Sequence, residues 1–122
     1  MTKILVVDDE LLLRDVLHDY LTRQGYEVVL AGDAEKALES AEKHKPNLAL
    51  IDIKLPKTSG IELTKQLKSS YPDLCIIIMT GYPSLDTAVN AMQNGAEEYI
   101  IKPFRLDELN KTIKKHIVDD NI

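Results

Sequence analysis

Four short apolar runs in this 122-residue chain each end on residues that can do chemistry. Ile4-Leu5-Val6-Val7 leads into Asp8-Asp9-Glu10, and Leu48-Ala49-Leu50-Ile51 into Asp52. Cys75-Ile76-Ile77-Ile78-Met79 leads into Thr80-Gly81, and Tyr99-Ile100-Ile101 into Lys102-Pro103. If the four ends converge, three aspartates share a crevice with one ammonium and one hydroxyl. Like charges ~4 Å apart in a surface-like dielectric repel by roughly 4 kcal/mol per pair. A hard cation relieves that repulsion, and Mg²⁺ suits a few carboxylates together with waters and phosphate oxygens. The formal charges of the three aspartates, Mg²⁺ and Lys102 then cancel. An aspartate in such a site can be a nucleophile that forms an aspartyl phosphate. Phosphoryl transfer needs mainly positioning and charge neutralisation. Lys102 supplies charge, the Thr80 hydroxyl can donate to a phosphoryl oxygen, and Gly81 leaves space and a free N–H.

Each feature alone has a plainer reading. Acidic residues after a strand often only begin a helix, where the dipole favours them. Asp52 alone reads as an N-cap, Thr80-Gly81 as a turn, and Lys102-Pro103 as a loop entry carrying a solvated lysine. Their conjunction, at the ends of four similar runs, is what points to a site.

The apolar runs read as strands, the one over 48–52 buried on both faces. Between them lie helical stripes. Leu13, Val16, Leu17, Tyr20 and Leu21 mark a helix over about 11–24, ended by Gly25. The more polar stretch 26–31 reads as an edge strand. Asp33 can cap a second helix striped by Ala34, Ala37, Leu38 and Ala41. After the loop 54–60, Ile61, Leu63 and Leu67 stripe a third helix that ends before Pro72. Ser84 caps a fourth, striped by Leu85, Ala88, Val89 and Met92 and stopped at Asn94-Gly95. Leu106, Leu109, Ile113 and Ile117 stripe a fifth, and 118–122 is a short tail. Alternating strands and helices predict an α/β fold, a five-stranded parallel sheet with helices on both faces. If the polar ends form one site, the first strand lies beside the third, and the fourth and fifth lie beyond it. The second strand, which brings no chemistry, takes the far edge. The order 2-1-3-4-5 follows, is compatible with right-handed crossovers, and is a known doubly wound arrangement.

The length suits one domain over 1–122. A chain 44% hydrophobic and 29% charged is an ordinary soluble mixture, and the net charge of −5 argues against direct nucleic acid binding. No run reaches membrane-spanning length and no signal-peptide pattern opens the chain, so a cytoplasmic protein without membrane association is expected. Cys75 is the single cysteine, which excludes an internal disulfide, and its apolar setting predicts a buried, inert thiol. His18, His44 and His116 lack ligand spacing and read as surface or helix-end residues.

Taken together, Asp8-Asp9-Glu10, Asp52-Ile53-Lys54-Leu55-Pro56 with Gly60, Met79-Thr80-Gly81, Gly95-Ala96 and Lys102-Pro103-Phe104 resemble a two-component response-regulator receiver domain over essentially the whole chain. The flavodoxin-like fold is that family's fold. The resemblance implies Asp52 as phosphoacceptor. It implies that Asp9, Asp52 and the Lys54 backbone carbonyl bind Mg²⁺ directly, with Asp8 acting mostly through water. Thr80 and Lys102 would bind the phosphoryl group, and Tyr99 would be a switch aromatic that turns inward as Thr80 moves. The Lys102–Pro103 bond would be cis. Leu55 stands where the family often has Met. The stretch 79–104 looks most like receivers of enhancer-binding transcription regulators.

The resemblance implies a signalling switch that takes a phosphoryl group from a histidine kinase or histidine phosphotransfer protein. It would catalyse only its own phosphorylation and dephosphorylation. Phosphorylation would then change the surface of the fourth helix, fifth strand and fifth helix to control a downstream target. That target would be a separate protein or a missing output domain, and family members also form phosphorylation-dependent homodimers through this face. Leu11 and Leu12 are surplus to the core stripe. They either dock the kinase or lie partly buried under the loop after the fifth strand. An aspartyl-phosphate phosphohydrolase is the enzyme alternative, but its Asp-x-Asp motif would need an acid where Lys54 stands, and a nucleophile on the first strand. A flavin-binding module of the same topology would want donors where the acidic first loop lies.

Overall fold

The computed structural model describes residues 1–117, so the tail over 118–122 lies outside the described residues. Five parallel strands alternate with five helices. The strands are β1 (Lys3–Val7), β2 (Glu27–Ala31), β3 (Leu48–Asp52), β4 (Cys75–Thr80) and β5 (Glu98–Ile101). The helices are α1 (Leu11–Arg23), α2 (Ala34–His44), α3 (Gly60–Ser70), α4 (Leu85–Gln93) and α5 (Leu106–His116). The sheet order is β2-β1-β3-β4-β5, as the placement of the polar strand ends requires.

Period-two alternation along each strand divides the core into two layers. Leu5, Val7, Ala49, Ile51, Ile76 and Ile78 point to one face and pack with Ala37 and Ala41 of α2, Leu63 and Leu67 of α3, and Ala91 of α4. Ile4, Val6, Leu48, Leu50, Ile77 and Met79 point to the other and pack with Leu17 and Leu21 of α1 and Leu109 and Ile113 of α5. Every residue of β3 is buried, which is why its sequence runs apolar without alternation. Burying one such aliphatic side chain contributes about 1.5–3 kcal/mol.

Local signals set the helix ends. Asp33, Ser59 and Ser84 cap α2, α3 and α4, each accepting the backbone N–H three residues on. Gly25 takes φ +98° just after α1, a left-handed conformation that glycine adopts without penalty.

Three stripes differ from the periodic reading. On α1, Val16 is exposed, and the buried seam is Leu17 and Leu21 with Leu13 and Tyr20 at its margin. On α4, Leu85, Val89 and Met92 are all exposed, and the helix lays Ala91 on the sheet, with Thr87 and Ala88 half-buried. Small residues let this short helix approach closely, and its large apolar side chains are left outward. Leu38 of α2 is likewise at the surface. Cys75 is half-buried rather than fully buried, but burial, reinforced by Glu97, pushes its thiol up to about 12. It stays protonated and inert at neutral pH, as expected.

Candidate functional site

The site grows from four strand ends at one edge of the sheet. The Asp8 N–H donates to the Ala31 carbonyl at 3.1 Å and so prolongs the β1–β2 ladder by one residue. This fixes Asp8 at the crevice with no exposed surface. Its Oδ1 accepts the Glu10 N–H at 2.8 Å, which shapes the turn into α1 and leaves Asp9 outward and exposed. Asp52 closes β3 beside it and is only 6% exposed. The turn beyond is held by Gly60, whose N–H donates to the Ile53 carbonyl at 2.7 Å. A Cβ at Gly60 would lie 2.1 Å from the Asp52 carbonyl oxygen, so only glycine admits this approach. Lys54 pairs with Ser59 in an isolated bridge across the loop.

From the other side, the Lys102 N–H donates to the Thr80 carbonyl at 2.7 Å, anchoring the end of β5 on β4. Lys102 then sends its ammonium into the acids. Its Nζ lies 2.8 Å from Asp8 Oδ2, 3.4 Å from Asp52 Oδ2 and 3.7 Å from Glu10 Oε1. The Lys102–Pro103 peptide is cis. Asp8, Asp9 and Asp52 each offer a carboxylate oxygen within 4.8 Å of the others.

Electrostatics follow from this crowding. Burial, and then the Asp8 charge, push the Asp52 carboxyl above its ordinary range, against the pull of Lys102 and of the Lys54 backbone N–H. For Lys102 burial opposes the charge, but the hydrogen bond and charge of Asp8, helped by Asp52 and Glu10, overcome it and raise the ammonium. One cation thus faces several acids, and the site remains short of positive charge. An all-oxygen donor set with that deficit fits Mg²⁺.

Thr80 is 2% exposed, and its hydroxyl accepts the Tyr82 N–H at 3.0 Å. Tyr99 lies half-buried against the core, with its hydroxyl on the first turn of α4. The Lys54 ammonium stands 4.1 Å from the centroid of the exposed Tyr82 ring. Leu11 and Leu12 are 64% and 77% exposed, so most of each side chain faces solvent. The sequence reading missed Glu10 as a third acid on Lys102, the Lys54–Tyr82 stacking, and the hydroxyls of Ser84 and Thr87 on Tyr99. The acidic triplet signalled the first; the others join residues from separate elements and leave no mark in local sequence.

A depression of about 1090 Å³ lies at the opposite end of the strands, among Tyr26, Lys45, Tyr71 and Lys114. It contains none of the acidic cluster. A smaller one of about 500 Å³ includes Asp9, Ile53 and Lys54 and adjoins the carboxylates.

A doubly wound sheet with acids at the carboxyl ends of its central strands β1 and β3, and a lysine at the end of the edge strand β5, defines a class of protein that handles a ligand at the topological switch point. Within that class, the chain belongs to the response regulator receiver domain family, whose model matches residues 4–114. It is 36% identical over 115 residues to sporulation initiation phosphotransferase F of Bacillus subtilis (strain 168), covering 94% of this chain and 93% of that protein. It is 40% identical over 112 residues to the transcriptional regulatory protein ZraR of Klebsiella oxytoca, covering 92% of this chain but only 25% of that longer protein. Among solved structures it superposes on the response regulator protein TrrA from Thermotoga maritima in complex with Mg(2+)-BeF, with a TM-score of 0.87 and 34% identity, covering 96% of this chain and 100% of that one.

Proposed function

We propose that residues 1–122 form one receiver unit, a cytoplasmic switch that accepts a phosphoryl group on Asp52 from the phosphohistidine of a histidine kinase or phosphotransfer protein. The single observation that carries this reading is the convergence of Asp8, Asp9 and Asp52 on one point beside the Lys102 ammonium. An Asp52 carboxylate oxygen attacks phosphorus, the phosphorus–nitrogen bond breaks, and the leaving imidazole takes up a proton. Lys102, 3.4 Å from Asp52, neutralises charge on the entering group, and the Thr80 hydroxyl turns to donate to one of its oxygens. Asp8, Asp9, Asp52 and the Lys54 carbonyl hold Mg²⁺, which supplies further charge stabilisation when bound. Tyr99 follows Thr80, and the face of α4, β5 and α5 changes. That face then acts on a downstream target, on an output domain of the kind of chain length that the longer relatives have, or on a second copy. Leu11 and Leu12 dock the phosphodonor protein.

The chain turns over no separate substrate on this reading. The phosphohydrolase alternative lacks support, because Lys54 stands where its second aspartate belongs and points at Tyr82. Among the described residues no helix is long and apolar enough to cross a membrane. Treatment with acetyl phosphate and Mg²⁺, followed by intact mass measurement, tests the assignment. Wild type should gain one phosphoryl group and Asp52→Ala none; equal labelling of the mutant would refute it.

A further inference from the structure

The Tyr99 hydroxyl is held by two residues to which the phosphoacceptor reading assigns nothing. It lies 2.7 Å from the Thr87 hydroxyl and accepts the Ser84 N–H at 3.3 Å. Thr87 Oγ1 in turn lies 3.1 Å from the Ser84 carbonyl and 2.9 Å from Ser84 Oγ, and Ser84 Oγ accepts the Thr87 N–H at 3.1 Å. One proton pattern satisfies all of these contacts. Thr87 donates its single hydroxyl proton to the Ser84 carbonyl, so it must accept from Tyr99 and from Ser84 Oγ, which uses both its lone pairs. Tyr99 donates to Thr87, leaving its oxygen free to accept the Ser84 N–H. The cluster closes with no donor left over, and it joins the first turn of α4 to the middle of β5.

The same loop is tied at its other end. Thr80 accepts the Tyr82 N–H, so the stretch between β4 and α4 is pinned by one hydroxyl at the phosphoryl-binding end and by the Thr87–Tyr99 pair at the other. With its hydroxyl committed to α4, Tyr99 cannot also turn toward Thr80. We propose that Thr87 is a positioning residue for Tyr99: its hydroxyl latches the phenol to the first turn of α4 and opposes the inward turn that accompanies phosphorylation. This rests on the phosphoacceptor reading above and adds to it the residue that sets the poise of the switch. Thr87 touches no reacting atom and acts only through Tyr99. A bond present in one of two states shifts their balance by what it contributes to that state alone.

The test uses beryllofluoride with Mg²⁺ as the probe, titrated into the full chain and followed by amide NMR. Thr87→Val keeps the shape and the capping N–H but removes the hydroxyl. Loss of one net hydrogen bond should tighten apparent beryllofluoride affinity by about two- to tenfold. Thr87→Ser keeps the hydroxyl and should bind like wild type. In a Tyr99→Phe background, which has already lost the bond, Thr87→Val should add nothing. Unchanged or weaker affinity in Thr87→Val, or a full effect persisting in the Tyr99→Phe background, overturns the latch while leaving Asp52 as phosphoacceptor. A wild type that takes up no beryllofluoride overturns the phosphoacceptor reading itself, and the latch's role falls with it.

Discussion

Asp8 has no exposed surface, and its nearest cation is Lys102 at 2.8 Å. Breaking a buried ion pair from one side leaves an uncompensated charge, at a cost of about 3–5 kcal/mol. Lys102→Met should therefore lower stability by that order in urea unfolding with EDTA, and Mg²⁺ should restore part of it. Asp52→Asn should act in the opposite direction. Burial and Asp8 raise the Asp52 carboxyl, so the folded state binds its proton more tightly than the unfolded chain does. That contribution is present in acid and is lost as pH rises through the raised value. Relative to wild type, Asp52→Asn should melt higher at pH 7 in EDTA, and the gap should close as the buffer is taken into acid. A variant that melts lower at pH 7 would contradict the crowding of carboxylates around this position. Both effects were legible in part. The acidic triplet and Lys102 stand out in the sequence, but the sharing of Lys102 among Asp8, Asp52 and Glu10 is a matter of a few ångströms.

At the scale of elements, the site depends on how tightly the β3–α3 turn closes. A methyl group at Gly60 would overlap the Asp52 carbonyl oxygen and approach Ile51 Cγ2 to 2.9 Å. Gly60→Ala should cost on the order of 1–3 kcal/mol, typical of overpacking, and should slow acetyl phosphate labelling by moving Asp52. The far end of the sheet carries its own tie. His116 and Lys115 at the end of α5 reach Glu98 at the start of β5, at 3.1 and 3.3 Å. The His116 hydrogen bond first, and then Lys115, hold the Glu98 carboxyl below its ordinary 4.5. A depressed acid contributes stability above its ordinary value, and that stability is lost as pH falls through the lowered one. Chemical denaturation of Glu98→Gln should accordingly show a shallower loss of stability below about pH 5 than wild type shows.

At the scale of the whole molecule, exposed apolar side chains gather on two helices, α1 and α4. Leu11, Leu12 and Val16 stand out on α1, and Leu85, Val89 and Met92 on α4, with Ile101 of β5 also exposed. Leu12, being 77% exposed, contributes little to folding. If it anchors the phosphodonor protein, Leu12→Ala should leave the melting temperature and acetyl phosphate labelling unchanged. Phosphoryl transfer from the partner histidine should meanwhile slow by about tenfold, the effect of losing a modest interface anchor. Equal transfer rates for the two proteins would remove α1 from the docking surface.

The sequence by itself determined the alternation of elements, the caps at Asp33, Ser59 and Ser84, and the arrival of chemistry at four strand ends. These are local properties: apolar period, turn residues and strand polarity act within a few positions of one another. Strand order followed from them only by requiring that the polar ends meet. Tertiary structure alone decided that α4 turns Ala91 inward and its larger side chains outward, that Val16 leaves the core, and that Thr87 meets Tyr99. An apolar stripe shows that a helix has a face but not which neighbour covers it. A hydroxyl pair twelve residues apart exists only once α4 and β5 are packed side by side at a particular angle.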